Sequence, residues 1–317
     1  MTIFNGVSKI GDNNLINQLE ENFKTYLDYG LLSIGNFINV NIPTSGLYGG
    51  TYHQLKTTET PGYKLGQVWQ SPKKDWVWET GISYNDGNSE NFPINISGVY
   101  VNNSFIPGPT GEGSNGYYIN YPLGEVIFDK PISRNSRVEL NYSYRWCQVY
   151  KSSTDPYWKE IQELTYAPAS QISLKDRGDY NLSANHRIQL PCIIIEPIAR
   201  SYNEPWQLGS HTFNVHQDFM LHVFAENGSD KNRIVDIIRL QQEQTISLYD
   251  TNKVAKSGVY PLHHNGSVNV DGLGYFDLTR EYFWNKTYLK DINILEMESR
   301  NKNLYWCTLR LTSETIV

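Results

Sequence analysis

Cysteine, charge and long apolar runs are all scarce in this sequence of 317 residues. The three cysteines, Cys147, Cys192 and Cys307, lie far apart and form no CxxC or Cys/His spacing, which argues against a disulfide framework and a zinc site. Lys and Arg number 27 against 33 Asp and Glu, a net charge of −6, and no basic stripe is present. Sequence-specific binding of duplex DNA is therefore not expected. No apolar run approaches the ~20 residues of a membrane-spanning helix, so we expect no membrane association.

The motifs of common enzyme classes are also missing. There is no GxSxG elbow, no HExxH, no phosphate loop and no GxGxxG between a strand and a helix. His216, Asp218 and His222 share one strand face, but residues two apart on a strand are ~6.6 Å apart, so the three span roughly 20 Å. A Zn²⁺ ion needs its ligands at about 2 Å. We predict a non-enzymatic chain without a metal or other cofactor, the alternative being a hydrolase with its carboxylates in loops.

Aromatic residues are abundant, with 23 Tyr and 8 Trp, whereas only 19% of the residues are charged. Such a surface favours contact with proteins or sugars, because an aromatic ring loses little rotamer entropy on docking. Many of these tyrosines can equally line β-sheets, which favour them. Trp69, Trp76 and Trp78 lie close together in the sequence. This spacing allows two interpretations. The three rings can be platforms that stack on sugars, or Trp76 and Trp78 can lie on one face of a short strand and fill a core.

The clearest periodicity lies between residues 206 and 250. Apolar and polar residues alternate along 213–224, a pattern typical of a half-buried strand. After a break at Asn227 and Gly228, either Ser229 or Asp230 can cap a helix of about four turns. The apolar stripe of this helix contains Ile234, Val235, Ile237 and Ile238. Its opposite stripe contains Arg233, Asp236 and Arg239.

Further elements follow from pattern and turn residues. A first helix is capped by Asp12 or Asn13 and is interrupted or ended by Gly30, and a short helix starts after Asp155. Short strands at 67–70 and 76–80 precede a compact all-β unit with strands at 117–121, 125–128 and 137–144. An apolar strand at 188–198 is covered on both faces. Residues 251–280 form loops, and a C-terminal hairpin has arms at 291–297 and 304–311.

These elements predict an α+β fold, in which an antiparallel or mixed sheet packs with two main helices and an all-β, sandwich-like domain is inserted. We assign residues 1–35 and 151–317 to the α+β domain and residues 36–150 to the β-rich inserted domain.

The order of the elements resembles the neck proteins of tailed bacteriophages, in particular the tail-terminator type. The matching segments are the strands 190–195 and 213–224, the helix around 233–238 and the hairpin that finishes at 306–311. Residues 116–128 and 140–145 also look like β-rich domains of phage virion structural proteins. The large insert after the first helix departs from small terminator proteins, which leaves the position within the neck open.

The resemblance implies a homo-oligomeric ring, expected to be hexameric, at the head–tail junction. Such a ring would terminate the tail tube and join it to the head, with tube, sheath and head-closure adaptor proteins as partners. The genome can pass through an acidic ring, which offers phosphates no binding charge. The implied location is the tail or neck of the virion, after assembly in the host cytoplasm.

We expect the subunit interface to include the polar face of the long strand and the exposed stripe of the long helix. These residues are His216, Asp218, His222, Arg233, Asp236 and Arg239. The alternative function is a β-rich receptor- or carbohydrate-binding virion protein of a tail fibre, baseplate or decoration. Its contact residues would be Trp69, Trp76 and Trp78.

Overall fold

The computed structural model describes residues 14–42, 52–79, 81–108, 116–153, 173–175, 179–183, 186–207, 212–301 and 304–317. Within these ranges the chain is α+β and most of its regular structure is strand, which confirms the predicted fold class at this coarse level. The helices there are α1 (Leu15–Ser33), α2 (Gly228–Arg239), α3 (Thr251–Ser257) and α4 (Tyr275–Glu281). The predicted helix after Asp155 and the predicted caps Asp12 and Asn13 lie outside the described residues.

Strands account for most of the other regular structure. In chain order they are β1 (Phe37–Val40), β2 (Gln54–Thr57), β3 (Val68–Gln70), β4 (Tyr84–Asn85), β5 (Glu90–Asn91), β6 (Gly98–Val101), β7 (Ser104–Pro107), β8 (Tyr117–Asn120), β9 (Glu125–Phe128), β10 (Val138–Glu139), β11 (Tyr142–Arg145), β12 (Gln148–Lys151), β13 (Ser173–Lys175), β14 (Asp179–Ser183), β15 (His186–Gln189), β16 (Cys192–Pro205), β17 (Phe213–Ala225), β18 (Thr245–Tyr249), β19 (Phe283–Asn301) and β20 (Leu304–Ile316). None of the helices in the described ranges combines the length and the apolar character that crossing a bilayer requires.

A mixed sheet of six strands, here called the frame sheet, carries the two longest helices. Its spatial order is β12-β16-β17-β20-β19-β18, and β12 is parallel to β16 while the other pairs are antiparallel. The central pair β17–β20 runs from Asn214 opposite Ile316 to Ala225 opposite Tyr305. β12 therefore joins this sheet, although residues 148–150 lie on the insert side of the predicted domain boundary.

Helices α1 and α2 both pack on the same face of the frame sheet and form its core with apolar side chains of the strands. Phe23 of α1 meets Phe219 of β17 edge to face, with 4.8 Å between ring centroids. Alternation along β17 sends Leu221 and Val223 to the same core. Burying each such side chain contributes roughly 1.5–3 kcal/mol, so this one face holds both helices in place.

The ends of the two long helices differ from the sequence prediction. The side chain of Asn227, and not Ser229 or Asp230, caps α2 by accepting a 2.8 Å hydrogen bond from the Asp230 N–H. With 12 residues, α2 has about three turns and not four. Gly30 lies inside α1, which continues to Ser33. A helical glycine costs about 1 kcal/mol, and burial of Leu31 and Leu32 beyond it outweighs that cost.

The strands β2 to β11, here called the β unit, surround a second core. Seven of them form a sheet in the order β7-β6-β10-β2-β3-β9-β8. The predicted strand 137–144 is two strands, because β10 pairs with β2 and β6 in that sheet while β11 pairs with β1. The chain thus crosses between two sheets near Leu140, which is completely buried.

Other segments also depart from the predictions. Residues 76–80 form no strand in their described part, where Trp76 makes one bridge to Tyr144. The predicted loop 251–280 contains α3 and α4, two helices of seven residues each. β16 begins at Cys192 and extends to Pro205. Its residues 192–195 are buried on both faces, as predicted.

Candidate functional site

The polar face of β17 is buried inside the chain. His216, Asp218 and His222 lie on the side of the frame sheet opposite the helices and are only 4–6% exposed. The Nε2 atom of His222 lies 2.9 Å from Glu196 Oε2 on β16, and its Nδ1 lies 3.2 Å from Thr308 Oγ1 on β20. This burial differs from the prediction that the three side chains are exposed at a subunit interface, because long side chains on adjacent strands lie over them.

The same polar network continues along β17. Asp218 accepts a 2.8 Å hydrogen bond from the Thr312 hydroxyl, and the Tyr202 ring stacks on His216 with 4.2 Å between centroids. Glu314 Oε1 lies 3.1 Å from His216 Nδ1 and 2.5 Å from Lys290 Nζ. The network links β16, β17, β20 and β19. In the described part of the chain, no group of three or more His, Cys, Asp or Glu side chains is placed to hold a metal ion.

The predicted outer stripe of α2 is exposed. Arg233, Asp236 and Arg239 all face away from the core. The Arg233 guanidinium lies over the Trp146 ring, 5.6 Å from its centroid. A role of this stripe in a subunit interface stays a prediction.

Two apolar patches lie at opposite corners of the frame sheet. The hairpin patch consists of Ile294, Leu295 and Met297 on β19, with Leu295 50% exposed. The aromatic patch consists of Tyr202 on β16 and the adjacent Trp206, which is 55% exposed. Exposed apolar clusters of this kind mark contact surfaces more often than isolated exposed residues do. Periodicity alone does not reveal them, because half of a strand's side chains face outward in any case.

The strand pairing explains why these corners are open. β12 flanks β16 only along residues 192–195, and β18 flanks β19 only along residues 283–288. In the antiparallel register these two flanking strands lie at opposite ends of the sheet. Residues 201–205 of β16 and 290–295 of β19 consequently have no other described strand beside their outer edges.

The three candidate tryptophans have different surroundings. Trp69 and Trp76 are 2% and 0% exposed, and their indole N–H groups donate 3.0 Å hydrogen bonds to the carbonyls of Gly66 and Lys73. Both fill the core of the β unit, which agrees with the core alternative for Trp76, and neither ring is exposed as a contact with a sugar would require. Trp78 is only half-buried and lines a cleft beside α1.

A buried arginine lies at the base of this cleft, where α1 meets the β unit. The Arg145 Nε donates a 2.7 Å hydrogen bond to Asp28 Oδ1, and its Nη1 donates a 3.0 Å bond to the Trp76 carbonyl. Its Nη2 contacts Glu79. Burial raises the pKa of Glu79 above its ordinary value, and the nearby Arg145 lowers it only in part. The sequence signal was a lone arginine at the end of an aromatic strand, between Tyr144 and Trp146.

The cysteines do not provide a nucleophile. Cys147, Cys192 and Cys307 are buried and form no disulfide. Burial raises the pKa of each thiol. A thiol is reactive only as the thiolate, so the three residues serve as small core side chains.

The comparisons with known proteins add no assignment. No protein-family model matches the chain, and no curated protein matches its sequence.

Proposed function

We propose that the chain is a non-enzymatic structural protein of a tailed-phage virion, which forms a ring at the head–tail junction. The ring terminates the tail tube and joins it to the head. Its partners are further copies of the chain, expected to number six, and other neck and tail proteins. In this proposal the α+β domain builds the ring, and residues 36–150 form an inserted sandwich-like domain.

The observation that carries this proposal is the position of the two exposed patches. The hairpin patch and the aromatic patch lie at diagonal corners of one sheet. A contact between two different surfaces on identical chains is heterologous, and repeating it produces a closed ring when the rotation closes. The order of α1, the frame sheet with α2 between β17 and β18, and the final hairpin agrees with the resemblance to tail terminators.

Both open edges also carry features that prevent unspecific strand pairing. Pro205 ends β16 and lacks a backbone N–H, and β19 is irregular between Leu289 and Asp291 and between Ile294 and Glu296. Proline and bulges at a sheet edge suppress edge-to-edge aggregation. Contact between copies is therefore expected to run through the side chains of the two patches.

The assembly can be tested with one variant at each corner. Mass photometry over a concentration series should show ring-sized species for the natural chain, and far fewer for Leu295→Glu and for Trp206→Glu. Val270→Glu is the matched control, because Val270 is 76% exposed and belongs to neither patch. A 1:1 mixture of the two corner variants should form dimers but no rings, since each variant keeps one intact patch. Unchanged assembly of both corner variants would contradict the proposal.

The alternative of a receptor- or carbohydrate-binding virion protein retains one observation. Trp78 lines a cleft together with other aromatic side chains. That site is compatible with a ring.

A further inference from the structure

A cleft lies between α1, the segment 74–79 of the β unit and the loop 260–275. It has two lobes of about 280 and 130 Å³. Both lobes are lined by Lys24, Asp28, Trp78 and Leu262, and this set defines the junction cleft. The larger lobe is close to the lower limit of small-ligand pockets, so it has room for one small ring-shaped group, and the second lobe continues it.

Flat aromatic side chains form the walls of the junction cleft. Trp78 borders both lobes, and Tyr29, Tyr260 and Tyr275 line the smaller one. The rings of Tyr29 and Tyr275 stack with 5.4 Å between centroids, which fixes the wall before any ligand arrives. Aromatic rings provide an apolar face next to polar groups, as in sites that hold a ligand with one apolar and one wet side.

One donor and one acceptor in the cleft are free to bind a ligand. Lys24 and Asp28 are four residues apart on α1, so both point from one side of the helix. The Lys24 ammonium forms no hydrogen bond or salt bridge with another residue in the described ranges, although Glu21 lies near enough to be affected by its charge. Asp28 uses Oδ1 to bind Arg145, and within the same ranges its Oδ2 accepts no hydrogen bond.

The charges around the cleft nearly balance. Lys24, Lys74 and Arg145 face Glu21, Asp28, Asp75 and Glu79, and Lys151, outside the lining, pairs with Glu21. Such a mixture creates no strong field of one sign, which an anionic or cationic ligand would need. It instead suits a neutral ligand whose hydroxyl groups can both accept a hydrogen bond from an ammonium and donate one to a carboxylate.

We propose that the junction cleft binds a neutral pyranose unit of a glycan, with the apolar face of the sugar on Trp78 and two adjacent hydroxyls on Lys24 and Asp28. This site does not depend on ring formation, because none of its lining residues belongs to the hairpin patch or the aromatic patch. A free sugar and the terminal unit of a polysaccharide share this chemistry.

The test uses saturation-transfer-difference NMR and tryptophan fluorescence on the full chain. The probes are neutral methyl glycosides of glucose, galactose, rhamnose and N-acetylglucosamine, with methyl glucuronide and methyl glucosaminide as charged counterparts. At least one neutral probe should bind with a Kd of about 1 mM or tighter. Binding should weaken at least about tenfold in Trp78→Ala and in Lys24→Met.

Trp206→Ala is the matched control, because Trp206 is an exposed tryptophan outside the cleft, and it should bind the probe like the natural chain. Lys24→Met keeps the test valid if Trp78→Ala fails to fold, since Lys24 is a half-buried helical residue without a hydrogen bond in the described ranges. Binding of no neutral probe, binding of the charged probes only, or binding that both cleft variants retain would each overturn the proposal. Disaccharides of the bound sugar then separate the two sources, because a polymer-derived unit should bind more tightly when both lobes are filled.

Discussion

Replacing Arg145 by methionine should strongly destabilise the chain. The Arg145 side chain is 7% exposed and binds Asp28 and Glu79 from two different structural units, as well as the Trp76 carbonyl. Arg145→Met leaves two carboxylates close together without the cation that pairs with both of them. Removing one partner of a buried ion pair costs about 3–5 kcal/mol of the free energy of unfolding.

The expected cost depends on pH. Glu79 already has a raised pKa because it is buried, and loss of Arg145 raises that pKa further. Below neutral pH the variant can avoid the unpaired charge by protonating Glu79. The loss of free energy of unfolding should therefore be about 3 kcal/mol at pH 8 and smaller at pH 5.5.

Urea unfolding followed by tryptophan fluorescence and circular dichroism measures this loss. Arg280→Met is the control, because the Arg280 side chain is 71% exposed and pairs with Asp277 on the surface, where such a pair contributes at most about 1 kcal/mol. Adding Asp28→Asn to Arg145→Met should recover part of the stability, since one stranded charge is removed. If Arg145→Met lowers the free energy of unfolding no more than Arg280→Met does, the stabilising role assigned to the buried Arg145 is wrong.

Three further predictions concern a buried glutamate, a helix cap and the cysteines. Burial raises the pKa of Glu125 to about 7, and the nearby Lys74 offsets this rise only in part. Between about pH 4.5 and 7 the Glu125 carboxyl therefore keeps a proton in the folded chain that it releases in the unfolded chain. The free energy of unfolding should fall as the pH rises through this range. Glu125→Gln should remove up to about 3 kcal/mol of that fall in urea unfolding at pH 5 and pH 8, and an unchanged slope would count against the assignment. Asn227→Ala should lower the free energy of unfolding by about 1 kcal/mol, because it removes the cap of α2. Ser229 is exposed and is not the cap, so Ser229→Ala should change that free energy by no more than about 0.5 kcal/mol in the same assay. The three buried cysteines should resist a thiol reagent in the native chain and react fully in denaturant. Rapid labelling of the native chain would contradict their burial.

The elements that the sequence predicts well are those with a strong local period. Alternation along β17 and the helical stripe of α2 identify both elements within a few residues. The near-continuous apolar run of β16 likewise predicts the burial of residues 192–195 on both faces. The patterns of β17 and α2 are set by the core beneath α1 and α2, whereas residues 192–195 of β16 alternate between that core and a second cluster on the other face of the sheet.

Elements that depend on distant pairing could not be predicted in the same way. The residues of β10 and β11 read as one strand because both are buried, but they pair with different sheets. The helices α3 and α4 have seven residues each, and such short helices form only through tertiary packing.

The candidate site shows the same limit. Burial of His222 requires Glu196 and Thr308 on two neighbouring strands, and the junction cleft requires α1 to lie against the β unit. The spacing of Trp69, Trp76 and Trp78 could not show that Trp69 and Trp76 are buried whereas Trp78 is half-buried and borders both lobes of a cleft. Lys24 and Asp28 are separated from Trp78 by some 50 residues of sequence, so no local pattern joins them.

Negative-stain imaging of the purified chain, alone and with tail-tube protein, tests the central claim most directly. We expect closed rings of about six copies in the class averages, more abundant at higher concentration, with a central channel and with neighbouring copies in contact through the two corner patches. Monodisperse single chains under both conditions, up to the highest concentration reached, would contradict it.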